Sequence, residues 1–167
     1  MTSLVIDVRH ARRSDAVDLA EVYETAWREA YSGIIPALTL EKMIVRRSAP
    51  WWREVVGRRT ILVLDVGGEI AGYAGIASAR VKDRSAAEIQ ELYLAPEYQG
   101  IGLGVRLFKA AVKAVREKGY SKMVVRALAE NDRAVAFYLR RGGKVWARSE
   151  EALGDRKLDC VWFEFRI

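Results

Sequence analysis

A chain of 167 residues, 51% hydrophobic and 30% charged, carries enough apolar material for a single folded domain over residues 1–167 and is not a disordered composition. One cysteine, Cys160, excludes an internal disulfide and suits a reducing, cytoplasmic interior, and one histidine, His10, leaves too few ligands for a zinc site, so no metal is expected. No apolar run reaches the roughly 18 residues of a membrane span, and the net charge of +6 is spread over pairs such as Arg46/Arg47, Arg58/Arg59 and Arg140/Arg141, which argues for a solvated surface that attracts anions rather than a nucleic-acid-binding face.

Residues 4–9 alternate as a strand. Ser14 offers an N-cap with Asp15 in the first turn, and apolar residues from Val17 to Ala30 recur at helical spacing up to Tyr31. Ser32-Gly33 breaks that helix, Pro36 starts a shorter one, and Pro50 opens a third piece carrying Trp51 and Trp52. Thr60–Val66 and Glu69–Ala79 read as a hairpin turned by Gly67-Gly68, with Gly72 and Gly75 marking a bulge or a close backbone approach. A polar loop at 82–85 leads to a strand over 87–94. A helix whose apolar pattern starts at Leu107 and which ends at Lys118-Gly119, a strand over Met123–Leu128, a helix over Asp132–Arg141 capped by Asn131, and strands over Val145–Arg148 and Leu158–Phe165 complete the chain. This order gives an α/β fold with a central mixed sheet of about seven strands and helices on both faces, in which strands 87–94 and 123–128 run parallel.

The chemistry concentrates between Ile89 and Arg106. An apolar strand ends at Ala95-Pro96, a loop with Gly100, Gly102 and Gly104 follows, and an amphipathic helix begins. The first four N–H groups of a helix lack intrahelical partners, and the macrodipole adds partial positive charge there, so the turn favours a phosphate-bearing ligand. It is neither GxxxxGK[ST] nor GxGxxG, because no Lys-Ser/Thr pair follows and the glycines are spaced two and two.

Gln99-Gly100-Ile101-Gly102-Leu103-Gly104 fits Q/R-x-x-G-x-G/A and resembles the pyrophosphate loop of the GNAT N-acetyltransferase superfamily. A second segment, Asn131-Asp132-Arg133-Ala134-Val135-Ala136-Phe137-Tyr138, reads N-x-x-A-x-x-F-Y and resembles the superfamily's other motif, 27 residues beyond Gly104. Two motifs in the right order are far more specific than either alone, and the likeness covers most of residues 60–143. One departure is visible: an aromatic often follows the glycine after this helix, whereas Gly143 follows Gly142 here, which leaves a core contact to be explained.

The resemblance implies acetyl-CoA as co-substrate. The N–H groups of Gly100, Ile101, Gly102, Leu103, Gly104 and Val105, with Gln99, would hold its pyrophosphate. The main chain of Leu92, Tyr93 and Leu94 would pair with its pantetheine arm in a wedge where strands 87–94 and 123–128 diverge, the Leu94 N–H serving as oxyanion donor. Tyr138 would protonate the departing sulfur, and Asn131, besides capping its helix, would lie near the pantetheine. Two carboxylates are candidates for the general base: Glu88, eleven residues before Gln99 as in the histone acetyltransferase branch, is preferred over Glu91. On a regular strand the two face opposite sides unless a bulge intervenes. The phrase from Trp27 to Pro36 resembles bacterial GNAT proteins related to polyamine acetyltransferases, which makes Trp27 and Tyr31 candidate substrate contacts.

The expected function is therefore acetyl transfer from acetyl-CoA to the primary amine of a small molecule, peptide or protein by direct attack, since no Cys or Ser is poised beside a base for a covalent intermediate. A catalytically silent CoA-binding sensor is the alternative, with a nucleic-acid binder behind it. The apolar last strand suggests a homodimer edge.

Overall fold

The computed structural model describes residues 4–79 and 85–167; residues 82–84 of the expected polar loop lie outside these. In chain order the elements are β1 (Ile6–His10), α1 (Ala16–Tyr31), α2 (Ala37–Arg46), α3 (Ala49–Val55), β2 (Thr60–Val66), β3 (Glu69–Ser78), β4 (Ala86–Leu94), α4 (Leu103–Glu117), β5 (Lys122–Leu128), α5 (Asp132–Arg140), β6 (Lys144–Leu153) and β7 (Arg156–Arg166). The strands form one seven-stranded sheet in the order β1-β2-β3-β4-β5-β7-β6. Only β4 and β5, joined by the α4 crossover, pair in parallel; the other pairs are antiparallel. This is the mixed α/β architecture that the order of elements implies.

Each sheet face buries its own core. Leu107, Phe108, Ala111 and Val115 recur every three or four residues along α4, and this stripe, with Tyr138 of α5, packs on Leu64, Ile76, Ile89, Met123 and Phe163. On the other face, Leu19, Tyr23, Trp27 and Tyr31 of α1, Leu40 of α2 and Trp52 of α3 pack on Val63, Tyr73, Leu128 and Leu158. Strand alternation divides β7 between them, Leu158 and Cys160 going to the α1 side and Val161, Phe163 and Phe165 to the α4 side. A fully buried side chain of this size contributes roughly 1.5–3 kcal/mol.

Several local expectations change. Ser14 is not the N-cap of α1: residues Arg13–Asp15 form a 3-10 turn, and the Asp15 carboxylate accepts from the Arg12 N–H at 2.7 Å while pairing with Arg9 at 2.8 Å. The buried Asp15 carboxylate is thus doubly compensated, by Arg9 and by the Arg12 N–H, and Arg9 also reaches Asp65 at 3.2 Å. Hydrogen bonding to Arg9 holds Asp15 below the usual carboxylate range, outweighing its burial. β6 and β7 run longer than their apolar alternation suggests, because they pair along nearly their whole length. β7 has neighbours on both sides and is no dimer edge; the edge strands are β1 and β6, and on β6 Val145 and Trp146 are about half exposed. The Gly143 departure also finds its reason. A Cβ there would lie 2.7 Å from Phe165 Cζ and 2.9 Å from the Tyr138 carbonyl oxygen, so β7 supplies the aromatic contact that the position after Gly142 lacks.

Candidate active site

One extra residue opens the site. Opposite β3, Ile76 pairs with Ile89 and Gly75 with Glu91, so Gln90 is a β-bulge. Bulges bend the strand that carries them, and β4 pairs with β5 only over Ala86–Ile89 against Lys122–Val125. Beyond that point β4 follows β3 to Leu94 while β5 follows β7 to Leu128, and the sheet splits into a wedge. Gly72 lets the chains close on the other side of β4: a Cβ there would lie 2.6 Å from the Tyr93 carbonyl oxygen.

A cavity of about 660 Å³ fills the wedge. Leu92, Tyr93, Leu94, Gln99, Gly100, Gly102, Gly104, Val105, Asn131 and Tyr138 line it; Ile101 and Leu103 do not. Ala95 donates to Ala71 of β3 at 2.8 Å, so alternation turns the main chain of Leu94, and of Leu92, toward the wedge. The Leu94 carbonyl is met there by Gln99 Nε2 at 3.0 Å.

At one end, Gly100 and Gly102 adopt left-handed φ of 80° and 85°, a conformation nearly confined to glycine, and the space where their Cβ atoms would stand is open. Gly102 is the N-cap of α4. Among the described residues, no backbone carbonyl accepts from the N–H groups of Gly100 to Val105, which leaves a row of donors at a helix N-terminus, a donor set suited to a diphosphate. Gly104 keeps the helix against β4 and α5: its Cβ would sit 3.4 Å from both Leu94 and Phe137.

Along another wall, Asn131 caps α5 by accepting from the Ala134 N–H at 3.2 Å, and the helix carries Tyr138 into the cavity wall, 5% exposed. Its ring packs on Phe137, Phe163 and Phe108, while no described residue hydrogen-bonds its hydroxyl. Burial, then the neighbouring Tyr31, pushes this phenol well above its ordinary value, so it remains a proton donor. Tyr31 shares a 2.5 Å hydrogen bond with the Tyr93 hydroxyl. Burial raises Tyr31 too, against the opposing pull of Tyr93 and Asn131.

The bulge also decides how the two carboxylates point. Glu88 lies opposite Ala77 and Glu91 opposite Gly75, so both project to the α1 side of the sheet with Tyr73; the opposite-face expectation holds only for an unbulged strand. Glu88 is fully buried, and neither it nor Glu91 lines the wedge cavity; Glu91 lines a separate small pocket with Trp51, Trp52 and Tyr73. Glu91 accepts from Arg47 at 2.5 Å and from the Tyr73 hydroxyl at 3.2 Å. Arg47 stacks over Tyr23 at 4.8 Å and Trp51 at 4.6 Å, a desolvated setting in which cation–π contact adds to the ion pair. Burial works against its charge, but Glu91 and the neighbouring phenols raise its pKa further.

Trp27 packs between Tyr23 and Tyr31, ring centroids 4.8 Å from each, and does not line the cavity. Residues not anticipated from the sequence include Arg47, and Glu29 and Arg133 at the cavity. Arg133 lies inside the N-x-x-A motif and Glu29 two residues after Trp27, so both were within reach of the motif reading; nothing in the sequence singles out Arg47. Among the described residues no helix is long and apolar enough to cross a membrane, and no group of three or more His, Cys, Asp or Glu is placed to hold a metal.

Known proteins resemble this chain. The chain is 26% identical over 135 residues to an uncharacterised N-acetyltransferase, YuaI, of Bacillus subtilis, covering 80% of this chain and 78% of that one. It is 27% identical over 143 residues to a spermidine N(1)-acetyltransferase of Thermoplasma acidophilum, covering 84% and 89%. The crystal structure of PaiA N-acetyltransferase from Thermoplasma acidophilum in complex with coenzyme A superposes with a TM-score of 0.79 at 22% identity, covering 98% and 99%, which shows a common fold. Residues 19–143 match the acetyltransferase (GNAT) family, and the chain belongs to that family of acyltransferases.

Proposed function

We propose that the protein transfers an acetyl group from acetyl-CoA to a primary amine by direct attack in a ternary complex, in the cytoplasm. The observation that carries this reading is the wedge beyond the Gln90 bulge, with unclaimed N–H groups at Gly100–Val105 at one end and the Tyr138 phenol in its wall. Bound acetyl-CoA supplies an activated thioester. The loop amides and Gln99 hold the phosphates, and the wedge-facing main chain of Leu92 and Leu94 receives the pantetheine like an added strand. The Leu94 N–H polarises the acetyl carbonyl, a type of contact worth roughly 3–4 kcal/mol. Tyr138 keeps its proton at working pH and gives it to the leaving sulfur.

The attacking amine must lose a proton. Glu91 is the better base than Glu88, because Glu88 is fully buried while the Glu91 side chain, on the same face beside Tyr73, keeps 15% of its surface open. Glu91 reaches the amine through water, with Arg47 and Tyr73 fixing its position. Tyr93 lines the wedge and orients the acceptor, held by Tyr31 through their shared hydroxyl hydrogen bond, with Trp27 packed on both rings. The kinship with a spermidine acetyltransferase favours a small cationic amine over a protein N-terminus. A thiol-release assay with acetyl-CoA against polyamines, monoamines and amino-terminal peptides tests this: turnover with at least one amine, and fastest with diamines or polyamines, is expected; no thiol release with any amine would refute it.

A further inference from the structure

Three side chains from three elements meet beside the phosphate loop. Arg133, near the start of α5, lies 3.2 Å from Glu29 of α1 and donates to the Gln99 side-chain oxygen. The Gln99 amide nitrogen is shared between Glu29 at 3.2 Å and the Leu94 carbonyl at 3.0 Å. All three residues line the cavity, and Arg133 and Glu29 are solvent-accessible, 72% and 39%. The Arg133 guanidinium is thus balanced by a carboxylate from α1, and the wedge-facing Leu94 carbonyl is capped by the Gln99 side-chain amide. An anion entering between Gly100 and Arg133 meets the Glu29 carboxylate as a like charge at close range. Arg133 has five donors in a planar fork that suits phosphate, and exposed ion pairs are weak enough to exchange.

We propose that Glu29, Gln99 and Arg133 form an exchange clasp: bound coenzyme phosphate replaces Glu29 as the partner of Arg133, and the freed Glu29 carboxylate then receives a cationic acceptor. Gln99 leaves the Leu94 carbonyl in the same event and opens it to the pantetheine. The acceptor site is therefore completed only after the coenzyme is in place, and it selects amines with a second positive charge. This inference rests on the function proposed above.

The test is a double-mutant cycle on coenzyme A affinity by calorimetry at low salt, using Glu29→Gln, Arg133→Gln and the double variant. Arg133→Gln weakens binding about tenfold. Glu29→Gln, which removes the competitor, tightens it about two- to fivefold, and that gain disappears when Arg133 is Gln. In steady state, Glu29→Gln raises KM for putrescine several-fold more than KM for n-butylamine. Glu29→Gln that fails to tighten coenzyme A, or tightens it equally without Arg133, overturns the exchange; equal changes in the two amine KM values overturn the acceptor role. Wild-type protein that binds no coenzyme A would instead remove the proposed function itself.

Discussion

Replacing Tyr138 by Phe separates chemistry from structure at this site. The phenol ring is buried among Phe108, Phe137 and Phe163, and Phe keeps every one of those contacts. The hydroxyl has no partner among the described residues, so its removal orphans no protein group, and stability should change by less than about 0.5 kcal/mol. Catalysis should change much more. Burial holds the proton on this phenol, and loss of a positioned general acid costs at least about 10²-fold, equivalent to about 2.7 kcal/mol of barrier. Because the loop amides and the Leu94 N–H are untouched, KM for acetyl-CoA should stay within about threefold. Thiol release followed in single turnover, with both substrates saturating, reads the chemical step directly. A variant that melts with the wild type but turns over within threefold of it would show that the departing sulfur leaves without help from Tyr138.

Glu91→Gln should lower kcat/KM about 10²-fold near neutral pH, with the deficit shrinking as pH approaches the amine's own pKa; a pH-independent deficit would show that the carboxylate positions and does not take the proton. Tyr23, Tyr31, Tyr73, Tyr93 and Tyr138 are all raised chiefly by burial, Tyr23 to about 12. The unfolded chain therefore releases these protons first, near pH 10, and their contribution to stability is present below that and lost as pH rises through the folded values. Thermal melting should shift little up to pH of about 9.5 and fall steeply above it; a Tm that rises there would contradict the buried, protonated arrangement. Gly143→Ala inserts a methyl 2.7 Å from Phe165, an overpacking that costs about 1–3 kcal/mol and should lower Tm by roughly 3–10 °C; an unchanged Tm would mean the α5–β7 junction yields freely.

The parts of this molecule that could be read from the chain are those in which one residue type answers a local backbone demand. Gly100 and Gly102 occupy left-handed positions, Asn131 caps α5 with its side chain, and the four-residue stripe of α4 faces one core. The order of strands and helices then leaves few sheets to choose from. What escaped depends on partners distant in sequence. The Gln90 bulge exists only in the register between β3 and β4, yet it opens the wedge and turns Glu88 and Glu91 to one face. Arg47 meets Glu91 across 44 residues, and Arg133 meets Glu29 across 104, so neither pairing leaves a local pattern. Asp15 rather than Ser14 stands at the start of α1, its carboxylate turned back to the Arg12 N–H and to Arg9 on β1, and Gly143 is explained only by Phe165 on the last strand.

The central claim is that the amides from Gly100 to Val105 cradle the coenzyme's diphosphate. Hydrogen–deuterium exchange of the wild-type protein with and without saturating coenzyme A tests it most directly. Expected is slowed exchange confined to Gly100–Val105 and to Leu92–Leu94, with the β6–β7 hairpin unaffected. Equal exchange over those residues in the two states, or protection centred elsewhere, would contradict it.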